Sequence, residues 1–163
     1  MIAAELLRSK LHYNKDNGEF RWAVRCGMRG VVGALAGSLN AYGYQVVRLD
    51  GANYLAHRLA WLYEFGAWPS GQIDHINGEK TDNRIENLRD VAPNVNRQNI
   101  RKARSHNKST GVLGVSFHRR IGKYVAYIRK DGKRTHLGYF EELAVAERAY
   151  IEAKRRQHEG CTL

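Results

Sequence analysis

Residues 73–99 read IDHINGEKTDNRIENLRDVAPNVNRQN. Ile73, Ile76, Ile85, Leu88 and Val91 are scattered among Asp, Asn, His and Arg, too thinly to build a core of their own. A segment that buries so little apolar surface needs another reason to be ordered. The runs Ile73–Ile76 and Leu88–Val91 suit two short strands, Asn77-Gly78 opens the loop between them, and Pro93 precedes a helix over Asn94–Lys102. The spacing therefore predicts strand, loop, strand, helix.

Working outward on the amino-terminal side, Leu55, Leu59, Leu62 and Phe65 recur at helical steps and Gly66 follows as a stop signal. Before that helix, Asn17-Gly18 separates the Leu11–Tyr13 stretch from Phe20–Trp22. Asp50-Gly51 likewise separates Tyr44–Leu49 from Tyr54-Leu55. These dipeptides suit type I′ hairpins, so a small antiparallel sheet is expected.

On the carboxyl-terminal side, residues 97–109 (RQNIRKARSHNKS) hold five basic side chains and no acid, the composition of a solvated tether or of a strand laid along phosphate. Beyond it, Gly114–Arg119, Lys123–Arg129 and Arg134–Tyr139 read as three strands, with Asp131-Gly132 as a hairpin signal, and Glu142–Gln157 as a helix. Alternation puts Val115, Phe117, Tyr124, Ala126, Ile128 and Leu137 on one face. It puts Ser116, His118, Arg120, Tyr127, Arg129, Arg134 and His136 on the other. Leu143, Ala146, Ala149, Tyr150 and Ala153 form the helix stripe that would cover the apolar face.

The whole chain has 163 residues and a formal charge of +11, with an apolar share of 43% and a mean hydropathy of -0.57. No stretch approaches the ~20 apolar residues of a membrane helix. The opening MIAAELLRSKLHYNK lacks the basic then apolar pattern of a secretory signal, so an intracellular location is expected. Cys26 and Cys161 are far apart and give neither a disulfide framework nor a thiolate zinc site, so any metal must be held by N or O ligands. Residues 105–163 carry 12 basic against 6 acidic side chains, the strongest pull for a polyanion.

Asp74-His75, Asn87-Leu88, Val91 and Asn96, together with the stretch from Tyr42 to Asp82, resemble the phage-type HNH nucleases, in which a ββα unit grips one divalent cation. Taken singly, Asp74 and Asn96 are ordinary turn or cap residues; their combination carries the resemblance. It implies that Asp74 and Asn96 offer oxygen ligands to Mg²⁺ or Mn²⁺. It also implies that His75 faces solvent beside them and takes the proton from water, and that Asn87 orients the imidazole by a hydrogen bond. His57 and Arg58 match the pattern as well, with His57 structural or a phosphate contact at most.

Gly114-Val115, Tyr124–Arg129, Gly132–Arg134, Leu137–Phe140 and Ala149-Tyr150 resemble the plant Apetala-type (ethylene-response-factor) DNA-binding domain, whose sheet enters a major groove. Where those domains present tryptophans, this chain has Arg120 or a neighbour and His136, so base preference does not carry over.

The expected architecture is α+β: a small antiparallel sheet and a helix leading into a ββα-metal unit at about 73–102, then a three-stranded antiparallel sheet packed on one helix. Residues 1–104 would form the nuclease domain and 105–163 the DNA-binding domain. The implied protein is a metal-dependent endonuclease of the homing or mobile phage type, acting on double-stranded DNA in the cytoplasm of a bacterial host. The alternative is a DNA-binding transcriptional regulator that has lost catalysis.

Overall fold

The computed structural model describes residues 1–27, 30–103, 107 and 109–163. It is a mixed α+β chain that divides into two compact units, residues 1–93 and 94–163. The expected boundary at 104/105 lies outside the described residues. No helix among the described residues is long and apolar enough to cross a membrane.

The first unit opens with α1 (Ala4–Lys10) and the hairpin of β1 (Leu11–Asn14) with β2 (Glu19–Trp22). A sheet of β3 (Ser38–Leu39), β4 (Gln45–Leu49) and β5 (Ala52–Leu55) runs directly into α2 (Ala56–Phe65). Then come β6 (Gln72–His75), a 3₁₀ turn (Ile85–Asn87) and β7 (Leu88–Val91), the last antiparallel to β6. One core is built from α1, both sheets and α2. It includes Leu7, Leu11, Phe20, Val47, Leu49, Leu59 and Leu62, and it extends to Ile73 and Leu88 of the β6–β7 pair. The thin apolar content of that pair is thus spent on anchoring it to the preceding sheet and helix.

Local chemistry explains these elements. Asp50 and Gly51 both have positive φ between paired Leu49 and Ala52, the two-residue type I′ turn expected there. Asn17-Gly18 behaves differently from expectation. Only Gly18 has positive φ, and the loop has four residues, because Asn14 Oδ1 accepts from the Asp16 and Asn17 N–H groups and winds the chain into a wider turn. α2 ends as expected, with Gly66 left-handed and its N–H bonded to Leu62 O. Its buried face departs from the expected stripe: Phe65 is 58% exposed and leans on Trp61, whereas Ala56, His57 and Ala60 turn inward.

Gly18 also makes a close approach. A Cβ there would sit 2.6 Å from Arg84 N and from Asn83 C, at a φ of +75°. Gly18→Ala is therefore expected to destabilise the first unit by about 2 kcal/mol or more, from strain and displaced backbone together. Urea unfolding followed by tryptophan fluorescence checks this, since Trp22, Trp61 and Trp68 all lie in that unit.

Helix α3 (Pro93–Gln98) begins at the division, shorter than the helix expected over 94–102. The second unit continues with β8 (Val115–His118), β9 (Lys123–Lys130), β10 (Lys133–Phe140) and α4 (Leu143–Gln157). The strands form one antiparallel sheet in the order β10-β9-β8, with Asp131 and Gly132 at positive φ in the expected two-residue turn. Val115, Ala126 and Ile128 pack on Ala146, Tyr150 and Ala153 of α4, the expected three-stranded sheet on one helix.

Part of the stretch expected to be a tether is pinned. Gln98 Oε1 accepts from Gly160 N at 3.0 Å, Thr162 bonds Asn99 Oδ1, Arg101 donates to Thr162 O at 2.8 Å, and buried Lys154 donates to Ile100 O. Composition hides this, because the partners are main-chain, hydroxyl and ammonium groups more than fifty residues away. Residues 104–106 and 108 of that stretch lie outside the described residues.

Candidate active site

Along β6 successive side chains face opposite ways. Ile73 and His75 turn toward the core and α2, and Asp74 turns away. The β6–β7 register sets Asp74 opposite Arg89, and Arg89 Nε and Nη2 donate to Asp74 Oδ2 at 2.9 and 2.7 Å. A guanidinium on one oxygen fixes the carboxylate plane, as outer hydrogen-bond partners fix metal-ligating carboxylates.

His75 is 5% exposed, so the expected solvent-facing imidazole is corrected to a buried one. Its ring meets His57 edge-on at 5.0 Å between centroids and lies 6.2 Å from Tyr44. Its Nε2 lies 3.1 Å from Asn83 Oδ1. Asn83 Nδ2 donates to Gln45 Oε1 at 3.1 Å, and Gln45 Nε2 donates to Ala36 O at 3.2 Å. Lys80 closes one side, its Nζ 4.8 Å from the Tyr44 ring centroid and bonded to Tyr42 O.

Asn87 has a different task from the one expected. Its Oδ1 accepts from Asn77 N at 2.9 Å and its Nδ2 donates to Asp82 O at 2.8 Å, closing the loop between β6 and β7. Asp82 is the other hub of that loop. It accepts from Asn77 Nδ2 and from Arg84 Nε and Nη2, and the Arg84 bonds hold its carboxyl down at about 2. The loop so held carries Asn83 to the imidazole.

Burial is the largest influence on both histidines and lowers their affinity for a proton. For His75 the bond to Asn83 and the charges of Asp74 and Asp82 oppose it, and the net direction is downward. For His57, burial and then the neighbouring His75 and Arg58 bring it down to about 3. At 5% exposure His57 is a wall of the site and not a phosphate contact.

That shift has a consequence for stability. The unfolded chain protonates His57 near pH 6.5 and the folded chain only near 3, so the contribution is complete above pH 6.5 and is lost as pH falls below it. Between pH 6 and 5 the parent is expected to lose about 1 kcal/mol more than His57→Phe. Urea titrations of the tryptophan signal check it; parallel pH profiles would contradict it.

Asn96 lies on α3, in the second unit. Among the described residues no group of three or more His, Cys, Asp or Glu side chains is placed to hold a metal ion. Carboxylate and amide oxygens are each the donor type that suits a hard divalent cation of the Mg²⁺ type.

On the second unit's sheet, the residues expected on the open face occupy β8 (Ser116, His118), β9 (Tyr127, Arg129) and β10 (Arg134, His136), with Arg120 in the β8–β9 turn. His136 pairs with Tyr127 and Arg134 with Arg129, and Arg134 stacks on the Tyr127 ring at 3.5 Å. A bulge between His136 and Gly138 shifts the alternation and brings Tyr139 onto this face, 4.7 Å from His136 and 5.9 Å from His118 between ring centroids. Simple alternation without the bulge misses Tyr139.

Residues 54–98 match the family model described as HNH endonuclease. The match runs from the end of β5 through α2, the β6–β7 pair and its loop to the end of α3, so Asp74, His75, Asn83, Asn87 and Asn96 all fall inside it. The likeness to HNH endonucleases is confined to this segment. No curated protein and no solved structure matches the chain. Asn83 and Arg89 of the HNH segment escaped sequence reasoning. Arg89 becomes visible once the strand register is known, while Asn83 reads as one more loop Asx residue.

Proposed function

We propose that the protein is a divalent-metal-dependent endonuclease that hydrolyses phosphodiester bonds of double-stranded DNA, a homing-type or mobile nuclease of phage origin acting in the bacterial cytoplasm. The observation that carries this reading is the seating of His75 inside the HNH-matched segment: an imidazole kept neutral by burial, next in sequence to a carboxylate fixed by Arg89.

In this reading Asp74 and Asn96 hold Mg²⁺ or Mn²⁺ through their side-chain oxygens. When bound, such a cation neutralises charge on the phosphate and on the leaving oxygen. Neutral His75 takes the proton from the attacking water. Asn83 holds the ring, His57 and Tyr44 wall it, and Asn87 serves catalysis by keeping the loop closed. The catalytic contacts are with backbone, which carries no sequence information, so a separate reader supplies position.

That reader is the open face of the second unit's sheet, with Ser116, His118, Arg120, Tyr127, Arg129, Arg134 and His136 against duplex DNA, in the manner of the Apetala-type domain it resembles. Arg and His on an open sheet suit phosphates and the acceptor edges of guanine. The test is a panel of supercoiled plasmid, linear duplex, single-stranded DNA and duplex RNA with Mg²⁺ or Mn²⁺. Cleavage of the duplex DNA members is expected, with binding that weakens steeply as salt rises. Binding without cleavage, or preference for RNA, would contradict the reading.

A further inference from the structure

The amide groups beside His75 form a chain whose direction is set at its far end. The carbonyl of Ala36 can only accept, so the Gln45 atom lying 3.2 Å from it is the NH₂ group. Gln45 therefore turns its oxygen to Asn83, which must answer with its own NH₂ group. The other end of the Asn83 amide, Oδ1, is then the atom facing His75 Nε2 at 3.1 Å. An amide oxygen cannot donate, so the hydrogen of that bond belongs to Nε2.

The surroundings hold this arrangement. Asn83 is 1% exposed, its carbonyl takes the Tyr13 hydroxyl at 2.6 Å, and Gly18 presses on its backbone. Gln45 sits in the β3–β4 ladder opposite Leu39. The His57 ring packs edge-on against the imidazole, at 83° and 5.0 Å between centroids. Reversing either amide would set two oxygens or two NH₂ groups against each other in a buried place.

We propose that Ala36 O, Gln45 and Asn83 lock the neutral imidazole of His75 in its Nε2–H form, which makes Gln45 and Asn83 positioning residues for a base whose lone pair is on Nδ1. The word base rests on the nuclease reading above; the tautomer does not. A neutral imidazole accepts a proton only at its bare nitrogen, so a chain that selects that nitrogen selects where water is activated.

The test uses ¹⁵N-histidine-labelled full-length protein at pH 8, with the His75 signals assigned by His75→Gln, alongside plasmid nicking with Mg²⁺. The parent is expected to show Nε2 protonated and Nδ1 bare. Gln45→Met, remote from the ring, frees the Asn83 amide to turn; it should give mixed tautomers and lower kcat by about tenfold with KM unchanged. Asn83→Leu should lower kcat by about 100-fold with KM unchanged and lose the single tautomer. A parent with Nδ1 protonated would overturn the proposal, as would Gln45→Met or Asn83→Leu with unchanged spectrum and kcat. A parent that shows the Nε2–H form but cuts nothing would support the tautomer assignment and sink the nuclease reading.

Discussion

Replacing His75 by alanine is expected to lower the rate of DNA nicking by about 10²- to 10⁴-fold, the usual range for removing a positioned general base, while duplex affinity stays within about twofold of the parent. Chemistry and attachment fall to different residues. His75 is buried against His57, Tyr44 and Asn83 and offers little surface to a phosphate. The open sheet face around Tyr127, Arg129, Arg134 and His136 belongs to the other compact unit. The truncation also leaves the amide of Asn83 without its partner, at a cost of about 1–3 kcal/mol. Rates are therefore compared at a temperature where tryptophan fluorescence shows both proteins folded. Parallel loss of binding and nicking would mean that His75 supports structure and not the reaction.

Asp74→Ala is expected to be as damaging to nicking, at least about 10²-fold, through a different route. It removes the proposed ligand and leaves the Arg89 guanidinium facing a buried position without its carboxylate. The first loss shows as weakened Mn²⁺ binding, read by the paramagnetic signal of the free ion. The second shows as a fall in stability of about 1–3 kcal/mol. Asp74→Asn separates the two, since it keeps an oxygen of similar shape but gives up the charge: Mn²⁺ affinity should drop with less loss of stability. Asn96→Ala should weaken Mn²⁺ binding without touching the Arg89 pair. Undiminished Mn²⁺ binding by both alanine variants would remove the cation from these two residues.

Local signals served the sequence reading well where a short-range rule decides the backbone. Asp50-Gly51 and Asp131-Gly132 made their two-residue turns because both positions took positive φ, and Gly66 stopped α2 by the same freedom. Asn17-Gly18 widened into a longer loop because the neighbouring Asn14 side chain captured the turn's N–H groups, a competition that dipeptide rules omit. Periodicity found α2 but took its stripe too narrowly, for the helix packs against a sheet on one side and the β6–β7 pair on another, so His57 is inside and Phe65 outside.

For the site, the positions of Asp74 and His75 on one strand end were legible, and so was the strand that follows the loop. The partners were not. Arg89 reaches Asp74 through register, Gln45 reaches Asn83 from 38 residues away, and Asn87 is held in the loop by Asn77 N and Asp82 O. Such contacts depend on how elements meet in space, and residue spacing alone carries no record of it.

The most direct measurement is conversion of supercoiled plasmid to open circle by purified protein in Mg²⁺ or Mn²⁺, run beside His75→Ala and beside the parent in excess EDTA. Nicking by the parent alone, at least about 10²-fold faster than either control, is the expected result. Nicking that survives both the substitution and the chelator, or a folded parent that binds duplex DNA and leaves every phosphodiester intact, would contradict it.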